Sequence, residues 1–352
     1  DKSVIVEPKD LSNPEEMHEK DVATLDIVKR KVANGEKVLI YTARDMVFNT
    51  VETYSKEWEQ ERLDALSRIA ANDYDAVITV PDALMQYTIP LDVLKENSIS
   101  IKRGSVLQLK EVADKLTAMG YRRADLVEGA GQFSVRGGIL DVFTAGEMYP
   151  CRIDFFGDEV DLIGHFDVLD QRRIDNIDEF SIVPSTELIC SENAKKRIID
   201  FISKKLNSDE TDSPKTYETL NREREALLEQ GRLLCPDKYY SFLYENKENL
   251  FNYMQGALPI IFDSGRVLER ARAYYWEYTQ NVEGLVRSGL TSFASAESVI
   301  SDSTLVTLLS KNAVVLNAFF SAKNPIGCKI HFNIDTKHTI AATANTNAFI
   351  ED

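Results

Sequence analysis

The stretch "CRIDFFGDEVD", residues 151–161, predicts a β-hairpin. Glycine adopts positive φ angles without strain, so Gly157 and Asp158 can form a two-residue turn between two strands. Successive side chains of a strand point to opposite faces of the sheet. Three apolar side chains of the first strand therefore share a core-facing side: Cys151, Ile153 and Phe155.

The opposite face of this strand carries Arg152, Asp154 and Phe156. A solvent-facing phenylalanine beside an arginine exposes apolar surface, and clusters of aromatic and guanidinium groups are typical of interface hot spots. The pattern leaves a second interpretation open. In that interpretation Phe156 packs beneath the hairpin turn, and the arginines pair with neighbours such as Asp154 or Glu159.

The residues around the hairpin, from Gly131 to Pro184, consist almost entirely of short strand-like runs and turns. Consecutive short strands joined by tight turns predict an antiparallel sheet. One predicted helix precedes them, with apolar residues at helical spacing and a glycine at its end: Leu109, Val112, Leu116, Met119 and Gly120. We therefore expect an α+β domain over residues 99–187.

The first hundred residues alternate between strand-like and helix-like patterns. Apolar, β-branched runs at 3–7, 37–41 and 74–80 predict buried strands. A helical stripe of apolar residues lies between the first two runs, at Val22, Leu25, Val28 and Val32. Short buried strands that alternate with helices are typical of a parallel sheet built from βαβ units.

Two later apolar runs, at 257–265 and 313–320, also predict strands. If these strands rejoin the first sheet, the α+β domain is an insertion between two segments of one parallel-sheet domain. The predicted boundaries are then 1–98 for the first segment, 99–187 for the inserted domain and 188–352 for the second, helix-rich segment.

The bulk composition narrows the class of protein. The 352 residues include 41 Lys and Arg against 57 Asp and Glu, a net charge of −16. Because phosphate backbones are bound by clustered Lys and Arg, this balance argues against nucleic-acid binding as the main role. No uncharged apolar run approaches the roughly 18 residues of a membrane span, and the first residues lack a signal-peptide pattern. We expect a cytoplasmic protein with no membrane partner.

The motifs of phosphate chemistry are missing from the sequence. No stretch fits GxxxxGK[ST], whose backbone amides and lysine would bind phosphates. The glycines of "GAGQFSVRGG", residues 129–138, precede strands rather than a helix, so we interpret them as turn residues. Asp263 ends an apolar run as a magnesium-binding aspartate does. Ser264 follows it where an acidic partner would be needed, which favours a structural role.

Other catalytic and metal-binding patterns are missing as well. The four cysteines are widely scattered without a CxxC pair, and the four histidines show no HExxH spacing. There is no GxSxG stretch for a nucleophilic serine. We therefore expect a noncatalytic chain that needs no cofactor and no metal.

A longer stretch carries a resemblance to a known family. Residues 131–173, "GQFSVRGGILDVFTAGEMYPCRIDFFGDEVDLIGHFDVLDQRR", resemble the second domain of the bacterial transcription-repair coupling factors (Mfd) and of their relative, the excision-repair helicase subunit UvrB. Both families have an arginine–glycine strand, a similar RIDFF hairpin and a strand that contains FD. Four stretches look especially like Mfd: "ARD" (43–45), "QERLDAL" (60–66), "LTAMGYRRADLVEGAGQF" (116–133) and "FDVLDQRR" (166–173).

This resemblance implies a fold. The family has a degenerate helicase-like domain, similar to domain 1 of UvrB, that is formed by two chain segments with an inserted domain between them. UvrB has a working phosphate loop and a tyrosine-rich hairpin that enters damaged DNA. This sequence contains neither feature, which favours Mfd.

The resemblance also implies partners and site residues. In the family the inserted domain binds UvrA through an arginine of the "VRG" strand, here Arg136, and through the arginine and second phenylalanine of "RIDFF", here Arg152 and Phe156. Arg136 shares its strand parity with Ser134, so we expect it to point away from the core. The nearby carboxylates are further candidates: Asp154, Asp158 and Glu159.

The same resemblance implies that RNA polymerase and DNA are bound by domains absent from this chain, and that another domain of the full-length protein masks the UvrA-binding surface. Two other functions stay open. One is an ATP-dependent UvrB-like helicase subunit. The other is a DNA-binding module that uses the basic pairs at 122–123, 172–173, 195–196 and 204–205.

Overall fold

A computed structural model describes residues 3–6, 35, 37–49, 57–208, 213–317, 326–328 and 330–332. The predicted helical stripe at Val22, Leu25, Val28 and Val32 lies outside these residues.

The strands are β1 (Ser3–Val6), β2 (Val38–Tyr41), β3 (Ala76–Thr79), β4 (Ile99–Lys102), β5 (Arg122–Arg123), β6 (Gln132–Arg136), β7 (Ile139–Phe143), β8 (Cys151–Phe156), β9 (Glu159–His165), β10 (Glu179–Ile182), β11 (Leu258–Phe262) and β12 (Val314–Leu316). The helices are α1 (Glu57–Ala70), α2 (Pro81–Met85), α3 (Leu91–Glu96), α4 (Leu109–Ala118), α5 (Glu192–Leu206), α6 (Pro214–Gln230), α7 (Tyr240–Leu243), α8 (Leu250–Tyr253), α9 (Ser264–Arg287), α10 (Phe293–Ala296) and α11 (Asp302–Leu309). A 3₁₀ helix, Pro236–Tyr239, directly precedes α7.

A parallel sheet combines strands from both ends of the chain. Its order is β12–β11–β1–β3–β2, and each neighbouring pair is parallel. The prediction that the two late strands rejoin the first sheet is therefore confirmed. Leu66 and Ile69 of helix α1 pack in the same core as Val77 of this sheet, because apolar residues recur along the helix at helical spacing.

The middle of the chain forms two sheets rather than the single antiparallel sheet predicted from the sequence. Strands β5–β6–β7–β8–β9 form one sheet, whereas β10 pairs with β4. The pair β5–β6 is parallel, because the loop between them brings the chain back to the same end, where Arg122 N donates to Gly131 O at 2.9 Å. Strand β10 pairs with β4 because Phe180 and Ile101 face the same apolar core.

The core of this α+β region lies between the inner face of the five-stranded sheet and helix α4. Phe133, Leu140 and Ile153 of the sheet are fully or almost fully buried against Val112 and Leu116 of the helix. Burial of one such side chain contributes roughly 1.5–3 kcal/mol. The face of the sheet on the other side of this core is called the outer face below.

The end of the α+β region is tied to the parallel-sheet region by a fully buried ion pair. Arg62 Nε of α1 lies 2.5 Å from Glu187 Oε1, which follows β10, and both side chains are inaccessible to solvent. Arg62 Nη1 also donates to Thr42 O at 2.6 Å. Thr88 Oγ1 donates to the second carboxylate oxygen of Glu187 at 2.5 Å. The Arg62–Glu187 ion pair, called the joint below, therefore brings together segments that are far apart in the chain.

A second buried pair joins the two segments of the parallel-sheet region. Arg44, which follows β2, donates through Nη1 and Nη2 to Asp237 Oδ2 and Oδ1 at 3.0 and 2.6 Å. Val47 N donates to the same carboxylate at 2.6 Å. Burial alone would lower the pKa of Arg44, but the Asp237 carboxylate raises it above its ordinary value. Arg44 and Arg62 lie in the "ARD" and "QERLDAL" stretches singled out above.

Candidate protein-docking surface

The hairpin β8–β9 presents a large apolar side chain to solvent. Cys151 and Ile153 are fully buried, as alternation predicts, while Phe156 is 83% exposed. Gly157 forms the turn with a φ of +65°. The register shifts between Asp154 and Phe155, which is a β-bulge. The interpretation in which Phe156 packs beneath the turn is therefore wrong.

A buried carboxylate lies at the centre of the outer face. The side chain of Asp141 on β7 is 1% exposed and accepts from Arg136 Nη2 at 2.7 Å. It also accepts from Arg152 Nε and Nη2 at 2.7 and 2.9 Å. Arg136, Asp141 and Arg152 are called the outer cluster below. Strand pairing explains their contact, since Asp141 lies directly opposite Arg152 on β8.

Asp141 was not predicted as a site residue. A signal was available, because "ILDVF" places one carboxylate in an otherwise apolar strand between two strands that carry arginines. A buried carboxylate needs hydrogen-bond donors, and the neighbouring arginines supply them.

Arg152 is held on several sides. Its side chain is 16% exposed, and its guanidinium lies over the ring of Phe166, 4.2 Å from the ring centroid. Arg152 Nη1 and Nη2 donate to Gln171 O and Gln171 Oε1, each at 3.1 Å. The hydrogen bonds to Asp141 raise the pKa of the Arg152 guanidinium, which therefore stays charged.

Arg136 is more accessible than Arg152. Its side chain is 44% exposed, and Nη2 alone is bonded to Asp141. Arg136 lies opposite Ile139, which in turn lies opposite Asp154, two residues before Phe156. With strands roughly 4.8 Å apart, Arg136 and Asp154 are about 10 Å apart across the sheet. The outer face thus offers a half-exposed guanidinium and an exposed aromatic ring on one surface.

The three candidate carboxylates have different surroundings. Asp154 Oδ2 lies 2.5 Å from Arg173 Nη2, so Asp154 does not form the ion pair with a site arginine that the second interpretation requires. Asp158 receives Leu107 N on its backbone oxygen at 2.7 Å. Neither Asp158 nor Glu159 has an ion-pair partner among the residues that the structure describes. The arginines pair with Asp141, not with Glu159 as the second interpretation proposed.

The glycine-rich stretch and Asp263 serve structural purposes. Gly137 occupies the turn between β6 and β7 with a φ of +60°. A Cβ on Gly138 would come within 2.8 Å of Phe155 O, so this position needs glycine. Asp263 has a φ of +50° and caps α9, where its carboxylate accepts from Arg266 N at 3.4 Å. These geometries agree with the turn role predicted for the glycines and with the structural role favoured for Asp263, which is a helix cap.

Two negative findings concern the described ranges alone. Over those ranges the structure contains no group of three or more His, Cys, Asp or Glu side chains placed to hold a metal ion. No helix within them combines the length and apolarity required to cross a membrane.

The basic pairs lie on one strand, one loop and one helix. Arg122 and Arg123 are exposed on β5, and Arg172 is exposed in the loop after β9, whereas Arg173 pairs with Asp154. The lysine pairs lie on α5.

Comparison with known proteins supports the resemblance. Residues 99–188 match the family model of the UvrB interaction domain. The transcription-repair-coupling factor of Bacillus subtilis (strain 168) is 28% identical over 260 residues, which cover 72% of this chain and 22% of that protein. The corresponding factor of Staphylococcus haemolyticus (strain JCSC1435) is 26% identical over 306 residues, covering 82% of this chain and 26% of that protein.

A third relative gives the same result. The transcription-repair-coupling factor of Staphylococcus aureus (strain USA300) is 25% identical over 305 residues, which cover 83% of this chain and 25% of that protein. The chain thus spans about a quarter of the length of these curated relatives. The predicted resemblance to the amino-terminal region of transcription-repair coupling factors is confirmed.

Proposed function

We propose that this chain is a noncatalytic docking region that recruits UvrA to stalled RNA polymerase in transcription-coupled nucleotide excision repair. The observation that carries the proposal is the exposed Phe156 on the same outer face as the half-exposed Arg136, inside the region that matches the UvrB interaction domain. The similarity to transcription-repair-coupling factors supports the biological setting.

The proposed mechanism is mimicry of UvrB. The α+β domain, residues 99–187, offers UvrA the surface that UvrB would offer, while the segments 1–98 and 188–352 form a degenerate helicase-like scaffold. Aromatic side chains bury 150–250 Å² each and dominate interface energetics, so Phe156 is the proposed apolar anchor. Arg136 supplies a guanidinium that recognises a carboxylate or carbonyl oxygen of UvrA.

The remaining partners belong to other parts of a full-length protein in this proposal. RNA polymerase and DNA are bound by domains outside the matched quarter, and another domain covers the outer face until UvrA competes with it. Recruitment and autoinhibition then use one surface.

A binding titration against UvrA from the same organism tests this function. Phe156→Ala and Arg136→Ala should each weaken binding by about 2 kcal/mol, roughly 30-fold, the scale of hot-spot truncation. Phe293→Ala is the matched control, because Phe293 is also exposed but lies on α10, outside the α+β domain. If the wild-type chain does not bind UvrA, or if the control weakens binding as much, the proposal is wrong.

A further inference from the structure

The loop after β9 contains a residue in a backbone conformation that non-glycine residues rarely adopt. Gln171 has a φ of +61°, within the "FDVLDQRR" stretch. In the described part of the chain, Asn72 and Asp263 are the other non-glycine residues with positive φ. Such conformations persist where the surroundings fix them, and they are frequent at functional sites.

Bonds within the loop fix this conformation. Gln171 N donates to Asp167 O at 2.9 Å, and Gln171 Nε2 donates to Val168 O at 2.9 Å. Asp167 N donates to Arg172 O at 2.9 Å, and Asp167 Oδ1 receives Leu169 N at 2.7 Å. The loop is therefore a turn closed by its own hydrogen bonds, and these bonds hold Gln171 in place without help from the sheet.

The consequence is that both oxygens of Gln171 face one guanidinium. Its backbone oxygen and its Oε1 each accept from Arg152 at 3.1 Å. Asp141 holds Nε and Nη2 of the same guanidinium, and the ring of Phe166 covers one side of it. Arg152 is thus ordered without any partner protein.

We propose that Gln171 is a positioning residue of the docking surface, which holds Arg152 in its binding geometry before UvrA arrives. The inference rests on the proposed function. Ordering a long side chain at an interface costs conformational entropy, and a side chain that is already ordered avoids much of that cost. Arg152 also shares Asp141 with Arg136, so its placement fixes the carboxylate that orients the more exposed arginine.

The test is a double-mutant cycle in UvrA binding. Gln171→Gly suits it, because glycine accepts the positive φ and keeps the backbone oxygen while it removes only the side chain. This variant should bind UvrA about three- to tenfold more weakly than wild type, the effect of freeing one ordered side chain. In the Arg152→Ala background the same change should alter binding by less than about twofold, because its effect passes through Arg152.

Two further variants exclude simpler explanations. Gln171→Glu keeps an oxygen within reach of Arg152 but loses the donation from Nε2 to Val168 O. If the contact with Arg152 is what matters for UvrA binding, this variant should bind within about twofold of wild type. Asn72→Gly is the matched control, since it places glycine at another positive φ outside the α+β domain and should leave binding unchanged.

The outcomes separate this inference from the proposed function. If wild type binds UvrA and Gln171→Gly binds equally well, or weakens binding equally in both backgrounds, the positioning role is wrong and the function stands. If wild type does not bind UvrA, the proposed function and the inference fail together.

Discussion

Two arginine–carboxylate groups in this molecule use the same chemistry at different depths. The Arg62–Glu187 pair at the joint is inaccessible to solvent on both sides. In the outer cluster only the carboxylate of Asp141 is buried, and the side chains of Arg152 and Arg136 are 16% and 44% exposed. Both carboxylates are buried, so the two groups differ in the solvent exposure of their arginines.

From this difference we expect the two groups to have different roles. A buried ion pair loses the hydration of both charges, so removing one partner leaves an uncompensated charge that strongly destabilises the fold. A half-exposed arginine keeps part of its hydration and keeps donors free for another molecule. We therefore assign the joint to stability and the outer cluster to recognition, and the following experiments test that division.

The largest expected effect is on folding stability at the joint. Arg62→Met keeps an apolar stem of similar length but leaves Glu187 buried and unpaired. The free energy of unfolding should fall by about 3–5 kcal/mol, measured by urea unfolding followed by circular dichroism. Arg68→Met is the control on the same helix, because Arg68 is partly exposed and pairs with Asp73 at 3.3 Å. Its effect should stay within about 1 kcal/mol.

A double variant sharpens this result. Glu187→Gln in the Arg62→Met background removes the unpaired charge, so part of the lost stability should return. If Arg62→Met and Arg68→Met unfold at the same urea concentration, the joint does not stabilise the fold as assigned.

An intermediate effect is expected in the outer cluster. Asp141→Asn keeps the shape of the side chain but removes the charge that two arginines share. Stability should fall by about 1–3 kcal/mol, the scale of lost hydrogen bonds to a charged group, and affinity for UvrA should fall with it. Asp125→Asn, at an exposed aspartate of the same domain, is the control for both measurements and should match wild type. A loss as large as that of Arg62→Met would remove the distinction between the two groups.

The sequence predicted the outer face because the signal there is local. Alternation in "CRIDFF" places Phe156 outward, and the Gly157 turn fixes the parity of the hairpin. Strand alternation needs no knowledge of distant residues. The same holds for the apolar runs of the parallel sheet, each of which contains a strand, although the run at 257–265 extends into the start of helix α9.

The joint and the loop contact could not be predicted in this way. Arg62 and Glu187 are separated by 125 residues, so their contact depends on how two regions pack. Likewise, Gln171 meets Arg152 only because the chain turns back over the outer face after β9. The unexpected β4–β10 pairing has the same origin, since 76 or more residues separate those strands. Composition and periodicity do not predict contacts between residues that are so far apart in the chain.

A small stability effect is expected at Phe156, in contrast to its proposed importance for binding. Phe156→Ala removes a ring that is already 83% exposed, so the free energy of unfolding should change by no more than about 0.5 kcal/mol. Phe133→Ala, on the inner face of the same sheet, should cost about 3–5 kcal/mol because Phe133 is buried in the core. Thermal unfolding of both variants measures the contrast. If Phe156→Ala is as costly as Phe133→Ala, the exposed ring is part of the core and not a docking group.

The smallest effect is expected at Cys151, which lies on the inner face directly next to Arg152 in β8. Burial raises the pKa of the Cys151 thiol to about 12. At pH 8 the thiol is therefore protonated, and alkylation by iodoacetamide needs the domain to open. Mass spectrometry should show slow labelling of Cys151 in wild type, and equally slow labelling in Phe156→Ala and Gln171→Gly.

The partly exposed Cys328 should react first, and its labelling shows that the iodoacetamide is active. Faster labelling of Cys151 in either variant would mean that changes on the outer face loosen the inner face. The outer face would then contribute to stability as well as to recognition. The outer cluster and the joint would differ only in how much each of them stabilises the fold.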